Sequence, residues 1–162
     1  MENYSLRKFS LSEFNKLKND DENIYELIDG IVLMSPRPNI KHQGVMSNLH
    51  FELRTCLRGK SCRVFTEIEL QFEENILIQR YKKAPEIVIE ILSPSSKYTD
   101  TFTKLIKYQL FGIKEYWIVN SETRTINIYN FEKKTNIEYS GSDELTSGIF
   151  NGLEINVSNI FM

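Results

Sequence analysis

The chain has little sulfur and little imidazole. Its 162 residues include two cysteines, Cys56 and Cys62, and two histidines, His42 and His50. Two cysteines do not make a disulfide framework. Cys56 falls on the apolar face of an expected helix, which points to a free, buried thiol in a reducing compartment. No Cys-x-x-Cys occurs, and the histidines are eight apart rather than at the i,i+4 spacing of a helical zinc pair. A structural zinc site is therefore not expected. The formal net charge is only −2, so no global basic field advertises a polyanion partner, although local patches can act alone. No segment reaches the roughly 18 apolar residues of a membrane span, and residues 1–20 lack the apolar core of a signal peptide. The expectation is a soluble cytoplasmic protein. Nucleophile-elbow and Gly-rich phosphate-loop motifs are missing too. No repeat, low-complexity tract or linker divides the chain, so residues 1–162 are expected to form a single domain.

What is present is a core-forming α/β pattern, with 41% hydrophobic and 12% aromatic residues. Ser10-Leu11-Ser12-Glu13 opens a short helix, with Glu13 three after Ser10 in the capping-box spacing. Two β-rich runs flank Asp29-Gly30, a strong hairpin signal because both turn positions need φ > 0. Residues 40–58 read as a helix. Met46, Leu49, Leu53, Cys56 and Leu57 recur at spacings of three and four, and His42 lies on that face in the first turn. Cys62 to Phe72 alternates as a half-buried strand, with Glu67 and Glu69 on its less apolar side. Ile76-Leu77-Ile78 is a short strand. Thr125–Phe131 and Thr135–Tyr139 form a meander, and Leu153-Glu154-Ile155 a last strand.

The stretch Ala84–Asn120 organises the rest. Strand, helix and strand follow one another within it, and the long crossover makes the two strands parallel. The first strand, Glu86–Leu92, is aliphatic except for Glu90. An ionisable group in a buried parallel strand is costly unless a cation, a metal or hydrogen bonds compensate it. Glu90 is either an edge carboxylate reaching solvent or part of a site, since the carboxyl end of such strands is where ligands bind in open α/β sheets. On the helix, Asp100, Lys104 and Tyr108 share one face, and Phe102, Leu105, Ile106 and Leu110 occupy another. A crossover helix ordinarily buries the apolar face, which would leave Asp100 and Lys104 as a solvated ion pair. The alternative is that Lys104 points toward the end of the Glu90 strand. Glu26, Glu67 and Glu69 read as exposed glutamates, and His42 as a packed or capping histidine. Lys82, Lys83, Lys97, Lys104 and Lys107 are either a phosphate-facing patch or a solvated face.

Several blocks, in order, resemble a known family. They are Tyr25-Glu26-Leu27-Ile28-Asp29-Gly30, His42 opening a helix, Ala84-Pro85 leading to Glu90-Ile91-Leu92-Ser93-Pro94, Asp100 with Lys104 and Tyr108, and Gly112 with Glu115-Tyr116-Trp117. The pattern resembles the Uma-two family, restriction-endonuclease-like proteins of the PD-(D/E)xK nuclease superfamily. The resemblance implies an α/β fold, a mixed sheet with flanking helices. It implies a DNA endonuclease hydrolysing phosphodiester bonds with Mg²⁺, which prefers hard oxygen ligands. Carried over, Glu90 resembles the acid of the (D/E)xK half. Leu92 occupies the lysine slot, and the cation is displaced to Lys104, with Asp100 and Tyr108 in support. Glu26 resembles an extra catalytic acid from the first hairpin.

One departure stands out. The family's Pro-Asp strand, which brings the first metal-binding aspartate, is missing between Ile78 and Ala84, so one core strand is expected to be lost. Glu86 cannot replace that aspartate, because four residues of strand separate it from Glu90 by about 13 Å. Glu69, or Glu67, from the preceding strand is the acid to be recruited, giving Glu90 and Glu69 as the metal pair. The alternative is a degenerate, non-catalytic relative serving as a binding or oligomerisation module. A bare sheet edge left by the deletion invites pairing with another chain, hence a homodimer.

Overall fold

Asp29 and Gly30 both adopt positive φ, 52° and 80°, and so turn the first hairpin as the dipeptide demands. In the computed structural model, which describes residues 7–17, 23–67, 71–73, 76–78, 84–92 and 98–162, this hairpin belongs to one of two units, Met1–Asn39 and Ile40–Met162. The first unit contains helix α1 (Leu11–Leu17) and the antiparallel strands β1 (Asn23–Ile28) and β2 (Ile31–Pro36). The capping box forms as its spacing predicts. Ser10 N and Oγ each donate to Glu13 Oε2 at 2.9 Å, and Glu13 N donates back to Ser10 Oγ at 3.3 Å. Phe14 is the buried residue of α1. Gly30 is also sterically required, since an added Cβ would stand 3.0 Å from Lys8 Cβ.

The second unit begins with α2 (Ile40–Cys56), whose Val45, Leu49 and Leu53 are buried at four-residue intervals. Leu57 continues the series just beyond the helix. Two short strands, β3 (Gln71–Glu73) and β4 (Ile76–Ile78), pair as an antiparallel hairpin. Then come β5 (Ile87–Leu92), α3 (Tyr98–Leu110), β6 (Glu115–Asn120), β7 (Thr125–Asn130) and β8 (Thr135–Ser140). Strands β5 to β8 form one mixed sheet in that order. β5 and β6 are parallel, as the crossover requires, and the remaining pairs are antiparallel. β9 (Glu144–Thr146), β10 (Glu154–Asn156) and α4 (Val157–Ile160) complete the chain, with β9 and β10 antiparallel.

The sheet buries both faces. Ile87, Ile89, Ile91, Trp117, Val119, Ile126 and Ile128 pack in a cluster with the α2 residues. Val88, Leu92, Tyr116, Ile118 and Tyr129 pack with Tyr108 and Leu105 of α3. The alternation of side chains along each strand produces this division. Among the described residues β5 pairs with β6 alone.

Of the strand expected over Cys62–Phe72, residues 68–70 lie outside the described residues. Residues 62–67 are irregular, Glu67 has φ 54°, and Gln71–Glu73 pair in a ladder. Cys62 and Val64 nevertheless pack on the α2-side core while Arg63 and Phe65 are exposed. Alternating burial needs only an extended chain lying on a core; a strand also needs a partner for its hydrogen bonds. Both cysteines are free. No helix among the described residues is long and apolar enough to cross a membrane.

Candidate active site around Glu90

Glu90 lies two residues before Leu92, the end of β5, on the side of the strand that faces α3. Its side chain is 21% exposed, too buried for an uncompensated charge. Three donors converge on it. The Tyr108 hydroxyl of α3 donates to Oε1 at 2.5 Å, and the Tyr116 hydroxyl of β6 donates to Oε2 at 2.8 Å. The Lys104 ammonium lies 3.4 Å from both oxygens and is itself only 12% exposed. Lys104 and Tyr108 are one helical turn apart, so α3 presents both from one face. Tyr116 is fully buried. Its ring meets Tyr108 edge-on at 4.9 Å and stacks on Tyr129 at 6.4 Å, which fixes both hydroxyls in direction.

This arrangement reverses the ordinary expectation for α3. Lys104 and Tyr108 face the sheet, while Phe102, Ile106 and Leu110 are exposed, Leu110 by 75%. Leu105 alone of the apolar set packs inward. The reason is electrostatic. Glu90 is partly buried on an otherwise aliphatic strand, and facing it with a cation and two phenols compensates a charge that an apolar helix face would have stranded.

His42 marks the end of the same strand. Its Nε2 donates to the Ile91 carbonyl at 3.2 Å, which ties the first turn of α2 to the residue after Glu90. Glu26 lies on β1 of the first unit. Glu69, with Lys82, Lys83 and Lys97, lies outside the described residues, and so does the side chain of Asp100. Glu67 is exposed.

A second carboxylate escaped the sequence reading. Glu115, at the start of β6, is completely buried on the opposite side of the sheet. Oε1 accepts from Asn130 Nδ2 at 2.9 Å and Gly148 N at 2.6 Å. Oε2 accepts from Trp117 Nε1 and Ser147 Oγ, both at 3.0 Å. Ser147 Oγ in turn accepts from the N–H groups of Ile149 and Phe150. Four donors satisfy the carboxylate, so it acts as a tie between β6, β7 and the turn before β10. Its signal was available, since it too is an acid opening an apolar strand.

The profile of the family described as "Uma2: Putative restriction endonuclease" matches residues 69–158. The chain belongs to the Uma2 family. The matched segment contains both strands of the parallel pair and Lys104, Tyr108 and Tyr116. Among solved structures, the chain is similar to a protein from Anabaena variabilis ATCC 29413 whose crystal structure is described as a putative nuclease belonging to DUF820. The TM-score is 0.72 at 20% identity, over 94% of this chain and 97% of that one. At that identity the similarity establishes a shared fold. No curated protein matches the chain. The Uma2 assignment and this structure place the chain with restriction-endonuclease-like proteins, a group that ordinarily uses a divalent metal.

The donor chemistry fits such an ion on the Glu90 side. Each carboxylate oxygen has two lone-pair directions; Oε2 accepts from Tyr116 and Lys104 and Oε1 from Tyr108, so the second direction of Oε1 is the hard-oxygen acceptor left for an ion. Among the described residues, no group of three or more His, Cys, Asp or Glu side chains is placed to hold a metal.

Proposed function

We propose that this Uma2 protein is a DNA endonuclease that hydrolyses phosphodiester bonds with Mg²⁺, centred on Glu90 and Lys104. The convergence of Lys104, Tyr108 and Tyr116 on Glu90 at the carboxyl end of β5 carries the reading. Glu90, with Glu69 recruited as its partner, is the acid pair that would hold the ion. A bound Mg²⁺ supplies Lewis-acid polarisation of the phosphate and lowers the pKa of a coordinated water. Lys104 offers its ammonium to the negative charge that develops on the phosphate oxygens. Tyr108 and Tyr116 hold the Glu90 carboxylate in one orientation by donating to both oxygens. His42 braces the Ile91 carbonyl.

A test is nicking of supercoiled DNA by the pure chain in Mg²⁺ or Mn²⁺. Cleavage that disappears in Glu90→Ala supports the reading, and no cleavage by the wild-type chain in either ion overturns it. One observation favours a second reading, a non-catalytic relative that uses the fold for binding or assembly. Glu90 already has a phenol on each oxygen and a cation beside it, a set that can serve stability alone. In that case Mg²⁺ does not bind stoichiometrically by calorimetry. The β5 edge is then the place for a second copy to pair, giving a homodimer; a monomer at high concentration by light scattering counts against that.

A further inference from the structure

The far end of α2 holds a feature unrelated to Glu90. Between Leu53 and Thr66 the sequence carries Arg54, Arg58, Lys60 and Arg63 and no acid, in a chain whose net charge is −2. Three of these cations line one cleft of about 270 Å³, with Leu57, Cys62 and Val64 as its apolar floor. No acidic residue among the described residues lines it. Arg54 and Arg58 are four residues apart, and both are exposed, so their guanidinium groups stand on one side of the helix end. Gly59, at φ 78°, turns the chain back so that Lys60 joins them. The Lys60 ammonium is steadied by the Asn151 carbonyl at 2.6 Å, which leaves two of its three N–H donors outward.

Basic residues at a helix C-terminus ordinarily complement the dipole there, about half an elementary charge. Three cations around one cleft exceed that need several-fold. Guanidinium forks also match phosphate oxygens in geometry, which a dipole partner does not require. At the helical rise, Arg54 is about 18 Å along α2 from His42, which touches the strand of Glu90.

We propose that the Arg54–Arg58–Lys60 cleft is a second contact for the DNA phosphate backbone, apart from the Glu90 site. The proposal rests on the reading of the chain as acting on DNA. The test is fluorescence anisotropy of a labelled duplex with the full chain, without divalent metal, across about 50–200 mM salt. Arg54→Ala/Arg58→Ala is expected to lower the slope of log K against log salt by about 2 and to weaken binding by on the order of 50-fold near 0.1 M salt. Arg54→Lys/Arg58→Lys should retain most of the slope. An alanine variant that binds the duplex with an unchanged slope overturns the proposal. So does an arginine-dependent site for inorganic phosphate, seen by calorimetry, with duplex binding unaltered. Binding through these arginines without any cleavage leaves the proposal standing and removes the nuclease reading. Cleavage with arginine-independent binding does the reverse, and a wild-type chain that binds no duplex removes both.

Discussion

The Tyr116 hydroxyl reaches Glu90 Oε2 at 2.8 Å even though Tyr116 is registered with Val88, two residues before Glu90. Both side chains lie on the α3 side of the parallel pair, and the length of the phenol spans the diagonal. Removing that hydroxyl tests whether orientation of Glu90 matters to the site. Tyr116→Phe is expected to weaken Mg²⁺ affinity by about 10–100-fold, as loss of an outer hydrogen-bond partner does. Calorimetry measures it, and unchanged metal binding would show that Tyr116 serves the core alone. The same variant loses a hydrogen bond to a charged group, so stability should fall by about 1.5–3 kcal/mol.

Lys104→Met keeps the length of the side chain and deletes its charge. Glu90 keeps its two phenols and loses its countercharge. A loss of about 1–2 kcal/mol in urea unfolding is expected, more than an exposed ion pair would give. DNA nicking should disappear. A variant that unfolds at the wild-type urea midpoint would mean that solvent, rather than Lys104, compensates Glu90.

Glu115→Gln separates structural from functional acids. A glutamine amide would face donors from Trp117 and Ser147 where a carboxylate oxygen now accepts. The expected loss is about 2–4 kcal/mol, a shift of about 1–2 M in the urea midpoint. The metal binding proposed at Glu90 should be unaffected, because Glu115 lies on the other side of the sheet. Gly148→Ala should destabilise the same network, since its Cβ would stand 2.9 Å from Glu115 Oε1 and press on Asn130.

The capping box of α1 predicts a pH response. The backbone N–H of Ser10 first, then its hydroxyl, then Arg7 hold the Glu13 carboxyl down at about 2, from an ordinary 4.5. A carboxyl depressed on folding stabilises the helix above its unfolded value, and that stabilisation is lost as pH falls. The N-terminal turn should therefore fray between about pH 4.5 and 2. A carboxyl titration by NMR centred near 4.5 would show that the box does not persist in solution.

The exposed stripe on α3 has its own test. Ile106→Ser and Leu110→Ser should each change stability by within about 0.5 kcal/mol, as exposed substitutions do. Leu105→Ala, on the inward side, should cost more. Equal losses at all three positions, read from thermal unfolding, would contradict the orientation of the helix.

Local chemistry was enough for much of this fold. Asp29-Gly30 dictated a turn that only positive φ satisfies, and Ser10 with Glu13 dictated a cap. The length of the Glu90–Glu115 crossover made β5 and β6 parallel. These are near-neighbour or connectivity constraints, which a linear sequence carries in full. Glu90 was legible for a similar reason: a lone acid in an aliphatic strand demands compensation wherever the strand goes. What compensates it was decided only by tertiary packing. Hydrophobic periodicity pointed α3 with Phe102, Ile106 and Leu110 inward, and the charge on the facing strand turned Lys104 and Tyr108 there instead. Tyr116 became a partner of Glu90 through the register of two strands 28 residues apart at their starts. Glu115 became a buried tie because Asn130, Ser147 and Gly148 return to it from later in the chain. Contacts between distant segments depend on register and on which face a helix presents, and neither is written in local sequence.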